Sequence, residues 1–239
     1  MLTDFSELLS LAPYGMARAE KRALLTRELR ALCAHHAERC PAYARVLAAR
    51  GAEPQAAADF DELPFLPVRM FKEYSLASVP DERLHRTMTS SGTTGQQVSR
   101  IYLDRETSAA QTKALASIVS DFVGKPRLPM IILDTSAVVK NRAMFSARGA
   151  GILGFGMFAR DQLYALDENM QLDVEGLSAF LEKHAGEELL LFGFTFMIWQ
   201  HFLAGLRAAG YKPDLSRSAL IHGGGWKKLA RERISAERF

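Results

Sequence analysis

A layered α/β domain, preceded by an N-terminal helical segment, is the fold class that this sequence predicts. Three observations carry the prediction. From about residue 81 onward, short apolar runs alternate with helical patterns, the element order of α/β layers. Met130 to Leu133 is apolar at every position, as a strand buried on both faces must be. The first fifty residues hold helix formers in place of such alternation.

Taken in order, Ala17 to Arg50 reads as helix, with Leu24, Leu25, Leu29, Leu32 and Cys33 on one stripe and Cys40-Pro41 forcing a break. Prolines 54, 64, 67 and 80 then predict an extended segment that wraps a surface. Leu84 to Met88 and Val98 to Leu103 are predicted strands flanking a Ser/Gly/Thr loop. Arg105 to Phe122 is a predicted helix ended near Gly124 and Pro126, and Met130 to Leu133 is the buried strand. Asp173 to His184 reads as helix and Glu188 to Gly193 as strand. A helix from about Thr195 to Ala209 stops at Gly210, and the strand Ser218 to His222 opens onto Gly223-Gly224-Gly225-Trp226. These elements group as residues 1–80, a helical segment and proline-rich wrap, and 81–239, an α/β core within the same domain.

Composition narrows the functions. The 239 residues are 48% apolar, and 30 Lys plus Arg against 27 Asp plus Glu leave a net charge of +3, too little for a dedicated nucleic-acid binder. The tail from Trp226 to Phe239, with five basic and two acidic residues, holds that whole excess and reads as the start of a solvated helix. No apolar run approaches the ~20 residues of a membrane span, and Asp4 and Glu7 stand where a secretory leader would be basic, so a cytoplasmic protein is expected. Cys33 and Cys40, if on one helix, lie about 10 Å apart at ~1.5 Å rise per residue, which predicts free thiols. His35 and His36 point to different sides of that helix, and no metal site is expected.

The string Thr89-Ser90-Ser91-Gly92-Thr93-Thr94-Gly95 carries the chemistry. Its glycines let backbone N–H groups converge, and its hydroxyls add donors, which suits a phosphate. No Lys-Ser or Lys-Thr follows as in a Walker A loop, and the same string also fits a Ser/Thr-rich hairpin turn.

The hexapeptide Ser90 to Gly95 resembles the phosphate-binding loop of the acyl-adenylate-forming superfamily. Two further strings, Leu63-Pro-Phe-Leu-Pro-Val-Arg-Met-Phe-Lys72 and Leu220-Ile-His-Gly-Gly-Gly-Trp-Lys-Lys228, make the acyl-protein synthetase (LuxE) family the nearest likeness, with phenylacetate-CoA ligases as relatives. The resemblance implies the N-terminal portion of an adenylate-forming enzyme, in which a carboxylate attacks the α-phosphorus of ATP and the acyl group passes from acyl-AMP to a protein thiol. It implies ATP and Mg²⁺ as cofactors, a carboxylic acid, long-chain fatty in this family, as substrate, and an acyl-accepting or reductase protein as partner.

Residue by residue, it implies that Thr89, Ser90, Ser91, Gly92, Thr93, Thr94 and Gly95 hold the phosphates and that Gly223, Gly224 and Gly225 receive the adenylate. Thr93 and His222 are the catalytic candidates, and Phe194, Thr195 and Trp226 the substrate-binding ones. A strand-end role for His222, and a core role for Trp226 and for the stripe Phe194, Phe196, Met197 and Trp199, fit the residues as well. The loop continues Gln96-Gln97-Val98 in place of the Pro-Lys of many members, with Arg100 as the nearest cation; Arg69 and Lys72 are read as solvated. The family's C-terminal domain, with its lysine and acyl-accepting cysteine, is expected to be missing from these residues, and Cys33 and Cys40 match neither motif. A non-catalytic nucleotide- or acyl-binding module that scaffolds a partner enzyme is the alternative.

Overall fold

The computed structural model describes residues 4–89, 98–140, 147–226, 230, 231 and 233–235, in two compact units, Met1–Phe122 and Val123–Phe239. In the first unit, Asp4 caps α1 (Phe5–Ser10) by accepting from the Ser6 amide at 2.9 Å. The helix α2 (Arg18–Arg39) ends at Cys40, because Pro41 supplies no amide to continue it and instead starts α3 (Pro41–Ala49). Cys40 is therefore the junction between helices and not a member of α2, as Cys33 is. Both thiols are free, and the Tyr43 hydroxyl donates to Cys33 Sγ at 3.2 Å.

The leucine stripe of α2 is only half-buried; its buried residues are Thr26 and Glu28. The Thr26 hydroxyl donates to the Arg22 carbonyl and accepts from the Phe60 amide, which ties the following segment to the helix. That segment is not extended throughout. It holds 3₁₀ turns at Pro54–Ala56 and Phe60–Glu62 and the short α4 (Met70–Glu73). Proline is tolerated at the first position of such a turn, and Asp59 caps the second. Arg22 reaches both Asp59 and Asp61. After a further turn at Asp81–Arg83, β1 (Leu84–Thr89) and β2 (Arg100–Asp104) pair antiparallel, and α5 (Arg105–Val123) follows.

The second unit is a parallel sheet. Its elements are β3 (Leu128–Thr135), α6 (Ala137–Lys140), α7 (Ala147–Phe155), β4 (Ala159–Leu166), α8 (Val174–Lys183), β5 (Leu189–Phe194), α9 (Thr195–Met197), a π-helical stretch Ile198–Leu203, α10 (Ala204–Ala209) and β6 (Ser218–Gly223). The strand order is β4-β3-β5-β6. Alternation along β3 divides the core in two. Ile131 and Leu133 face Leu177 and Phe180 of α8 and Ile198 and Phe202 of the π stretch. Met130 and Ile132 share the other layer with Ile152 of α7 and Phe192. The β3–β4 crossover thus lies on one face, and the β4–β5 and β5–β6 crossovers on the other. Such a doubly wound sheet leaves its crevice where neighbouring strands send their connections to opposite faces, at the carboxyl ends of β3 and β5.

Two glycines set the geometry there. A Cβ on Gly193 would stand 2.9 Å from Leu133 Cβ and 3.1 Å from Ile198 Cγ1, so glycine lets the helix beginning at Thr195 settle onto the sheet. Gly210, at φ 62°, closes α10 in the left-handed conformation.

Candidate functional site

The carboxyl ends of β3, β5 and β6 gather the polar groups of the second unit. At the end of β3, Asp134 is 1% exposed after four apolar residues, and its carboxylate takes a two-point hydrogen bond from Arg148 of α7 (Nε to Oδ2 2.9 Å, Nη2 to Oδ1 2.6 Å). The Thr135 amide also donates to Oδ1, at 2.8 Å. The guanidinium carbon of Arg148 lies 5.9 Å from the centre of the Phe196 ring. On β4, burial pushes the Tyr164 phenol above its ordinary pKa, and the Asp134 charge adds to the rise.

At the end of β5 the Thr195 hydroxyl turns toward the end of β6. It lies 3.1 Å from His222 Nδ1, 3.3 Å from the Gly223 carbonyl and 3.4 Å from that of Gly224. Gly224 has φ 74°, and a Cβ there would meet Phe194 Cδ1 at 3.0 Å, so the turn calls for glycine at that position. A Cβ on Gly223 or Gly225 would meet nothing within 4 Å among the described residues, so intramolecular packing gives no reason for glycine at either.

Aromatic side chains adjoin this turn. Phe194 meets Phe192 edge to face at 6.0 Å, and Phe192 stacks on Phe155 at 4.4 Å. Trp226 meets Trp199 edge to face at 5.5 Å, with the Arg207 guanidinium 5.1 Å from the centre of the Trp199 ring. The site therefore has an aromatic side and a glycine turn with carbonyl and imidazole groups, an arrangement suited to a ligand with both apolar and hydrogen-bonding parts.

Of the residues read from the sequence, Phe194, Thr195, His222, Gly223, Gly224, Gly225 and Trp226 lie on this part of the second unit. Thr195 is buried, with its hydroxyl on His222 and the glycine carbonyls. Thr89 ends β1 and is exposed. The phosphate-loop candidates Ser90, Ser91, Gly92, Thr93, Thr94 and Gly95 lie outside the described residues, as do Lys227 and Lys228. Asp134 and Arg148 escaped the sequence reading. Their signals were an acid ending a wholly apolar strand and a lone cation in a Gly-rich apolar helix. Among the described residues no group of three or more His, Cys, Asp or Glu is arranged to hold a metal, and no helix is long and apolar enough to cross a membrane.

Known proteins share this architecture. A solved 2-hydroxyisobutyryl-CoA ligase, in complex with 2-HIB-AMP and CoA in the thioesterification state, superposes with a TM-score of 0.60 at 18% identity, over 87% of this chain and 44% of that one. A phenylacetate-coenzyme A ligase of Thermus thermophilus is 34% identical over 87 residues, 34% of this chain and 20% of the relative. The chain thus spans less than half the length of either. The family profile of LuxE, acyl-protein synthetase, matches residues 3–239, as the three sequence strings led one to expect, and the chain belongs to the LuxE acyl-protein synthetase family.

Proposed function

We propose that this chain serves the ATP-dependent activation of a carboxylic acid, of the long-chain fatty class, to acyl-AMP, with the acyl group then passed to a protein thiol. The observation that carries the reading is the glycine turn at the end of β6. Thr195 holds it from below, and at Gly223 and Gly225 a ligand can approach the backbone as closely as the missing side chains allow. Family membership supports the same reaction class.

In this reading Gly223, Gly224 and Gly225 receive the adenylate, and the apolar surface of Phe194 and Trp226 faces the acyl part. The donors of Thr89 to Gly95, Thr93 among them, bind the β- and γ-phosphates. Mg²⁺ enters with the nucleotide, as part of the substrate complex, and shares the phosphate charge. A carboxylate is already ionised near pH 7, so no protein base is needed for its attack on the α-phosphorus; the bond to pyrophosphate breaks as the acyl–phosphate bond forms. The acyl group goes to a protein thiol, with an acyl-accepting or reductase protein as the partner, and the setting is cytoplasmic, which suits the free Cys33 and Cys40.

Acid-dependent exchange of labelled pyrophosphate into ATP tests the reading, with a panel of fatty and aryl acids. Exchange is expected only when an acid is present, greatest for the long-chain acids, and lowered about 100-fold or more when Ser91→Ala and Thr93→Ala are combined. ATP binding with no exchange for any acid would leave a non-catalytic nucleotide-binding module instead.

A further inference from the structure

Arg148 holds more hydrogen-bond donors than its carboxylate partner uses. A guanidinium carries five N–H groups. Nε donates to Asp134 Oδ2 at 2.9 Å and Nη2 to Oδ1 at 2.6 Å, and among the described residues the other three N–H groups meet no acceptor. The side chain is 23% exposed, which leaves these donors within reach of a ligand. Its guanidinium carbon stands 5.9 Å from the centre of the Phe196 ring, between the carboxyl end of β3 and the helix that follows β5. Gly151, three positions along α7 and on the same face, relates this donor set to the glycine turn. A Cβ on Gly151 would meet Phe194 Cζ at 3.4 Å, and one on Gly224 would meet Phe194 Cδ1 at 3.0 Å. The Phe194 ring therefore lies between α7 and the turn, and Arg148, on the α7 side of it, is set back from the glycines.

Charge decides what these donors take. Asp134 already balances the guanidinium, so a second carboxylate would stand near a buried one with a single cation between them, whereas a neutral oxygen adds no charge. A plain alkyl chain would strip water from the three N–H groups and offer no acceptor in return, a loss that makes a site built to bond an oxygen discriminate against the acid that lacks it. We propose that Arg148 is a specificity-determining residue whose N–H groups not used by Asp134 bind a hydroxyl or oxo oxygen on the acyl chain of the acid. The preferred substrate is then a long-chain hydroxy or oxo acid, and not its unsubstituted parent. Asp134 is the positioning residue that holds the guanidinium in place. The acid as ligand rests on the function proposed above.

The test is titration calorimetry of the full 239-residue chain with dodecanoate and with hydroxy- and oxododecanoates substituted at successive positions. Wild type is expected to bind at least one substituted acid about tenfold or more tightly than dodecanoate. Arg148→Met combined with Asp134→Leu removes the donors and the buried charge together, and is expected to abolish that preference. A pair that serves folding alone would leave the ratio of affinities the same in both proteins, and that result would overturn the assignment. So would a wild type that favours dodecanoate over every substituted acid, or that binds none of them; this comparison needs no variant to fold. Pyrophosphate exchange with the same acids keeps the two readings apart. If the preferred acid binds and supports no exchange, the adenylation reading falls while the role of Arg148 stands.

Discussion

Arg148 shows how much one side chain can hold in place. Its guanidinium is the cation that accompanies a carboxylate only 1% exposed, on the central strand of the sheet. Removing one partner of such a pair leaves a buried charge uncompensated, which costs about 3–5 kcal/mol, whereas replacing both with apolar groups is often neutral. Arg148→Met is therefore expected to lower unfolding stability in urea by about 3 kcal/mol, and Arg148→Met with Asp134→Leu to recover more than half of it. A second charged cluster lies at the other end of the strands. His184, 4% exposed on its side chain, sits between Asp161 (2.9 Å from Nε2) and Glu187 (3.0 Å from Nδ1) and ties β4 to the turn after α8. Hydrogen bonds from Lys183 and then His184 lower the Asp161 pKa to about 2. The unfolded value is about 3.9, so this carboxylate stabilises the fold fully above about pH 4 and progressively less as pH falls toward about 2. The urea midpoint is expected to drop over that interval, and Asp161→Asn to flatten that part of the curve. An unchanged slope in the variant would show that Asp161 is not its source.

At the scale of elements, the strands and helices that follow their own period were legible. Gly210 ends its helix where the sequence placed the stop, and β3, β5 and β6 match the apolar runs to within two residues at either end. Others were not, β4 and α7 among them. The strand β4 runs through Arg160, Asp161 and Gln162 after its first residue, because it lies at the sheet edge and only part of it is buried. The helix α7 contains Gly149, Gly151 and Gly154, poor helix formers, and forms because Ile152 packs into the sheet and Gly151 fits beneath Phe192. These glycines differ in kind from one another. A Cβ on Gly151 would come within 3.1 Å of Phe192 Cζ, while one on Gly154 would meet nothing within 4 Å among the described residues. Gly154→Ala is expected to raise stability by about 0.5–1 kcal/mol through helix propensity. Gly193→Ala, forced against Leu133 and Ile198, is expected to lower it by about 1–3 kcal/mol. Urea unfolding of the two variants beside wild type reads both signs.

For the whole molecule, the doubly wound sheet of the second unit carries the glycine turn of the proposed nucleotide chemistry. A ligand that binds only the folded state at a hundred times its dissociation constant adds about 2.7 kcal/mol, which for a chain of this size corresponds to a melting-temperature rise of roughly 5–10 °C. ATP with Mg²⁺ is expected to produce such a rise in a thermal-shift measurement, and Ser91→Ala with Thr93→Ala to reduce it. No rise at saturating nucleotide would remove the binding on which the adenylation reading stands.

The amino-acid order alone determined what depends on short range. Helix against strand follows from local period, the break at Cys40-Pro41 from a missing amide, and family membership from three strings of ten residues or fewer. Strand order, the crevice between β3 and β5, the Asp134–Arg148 pair and the contact of Thr195 with His222 belong to the tertiary structure. The two members of each pair stand 14 and 27 positions apart, on elements whose own patterns say which face is apolar but not which neighbour will cover it. That choice is made when the crossovers pack on opposite sides of the sheet and bring distant strand ends to one edge.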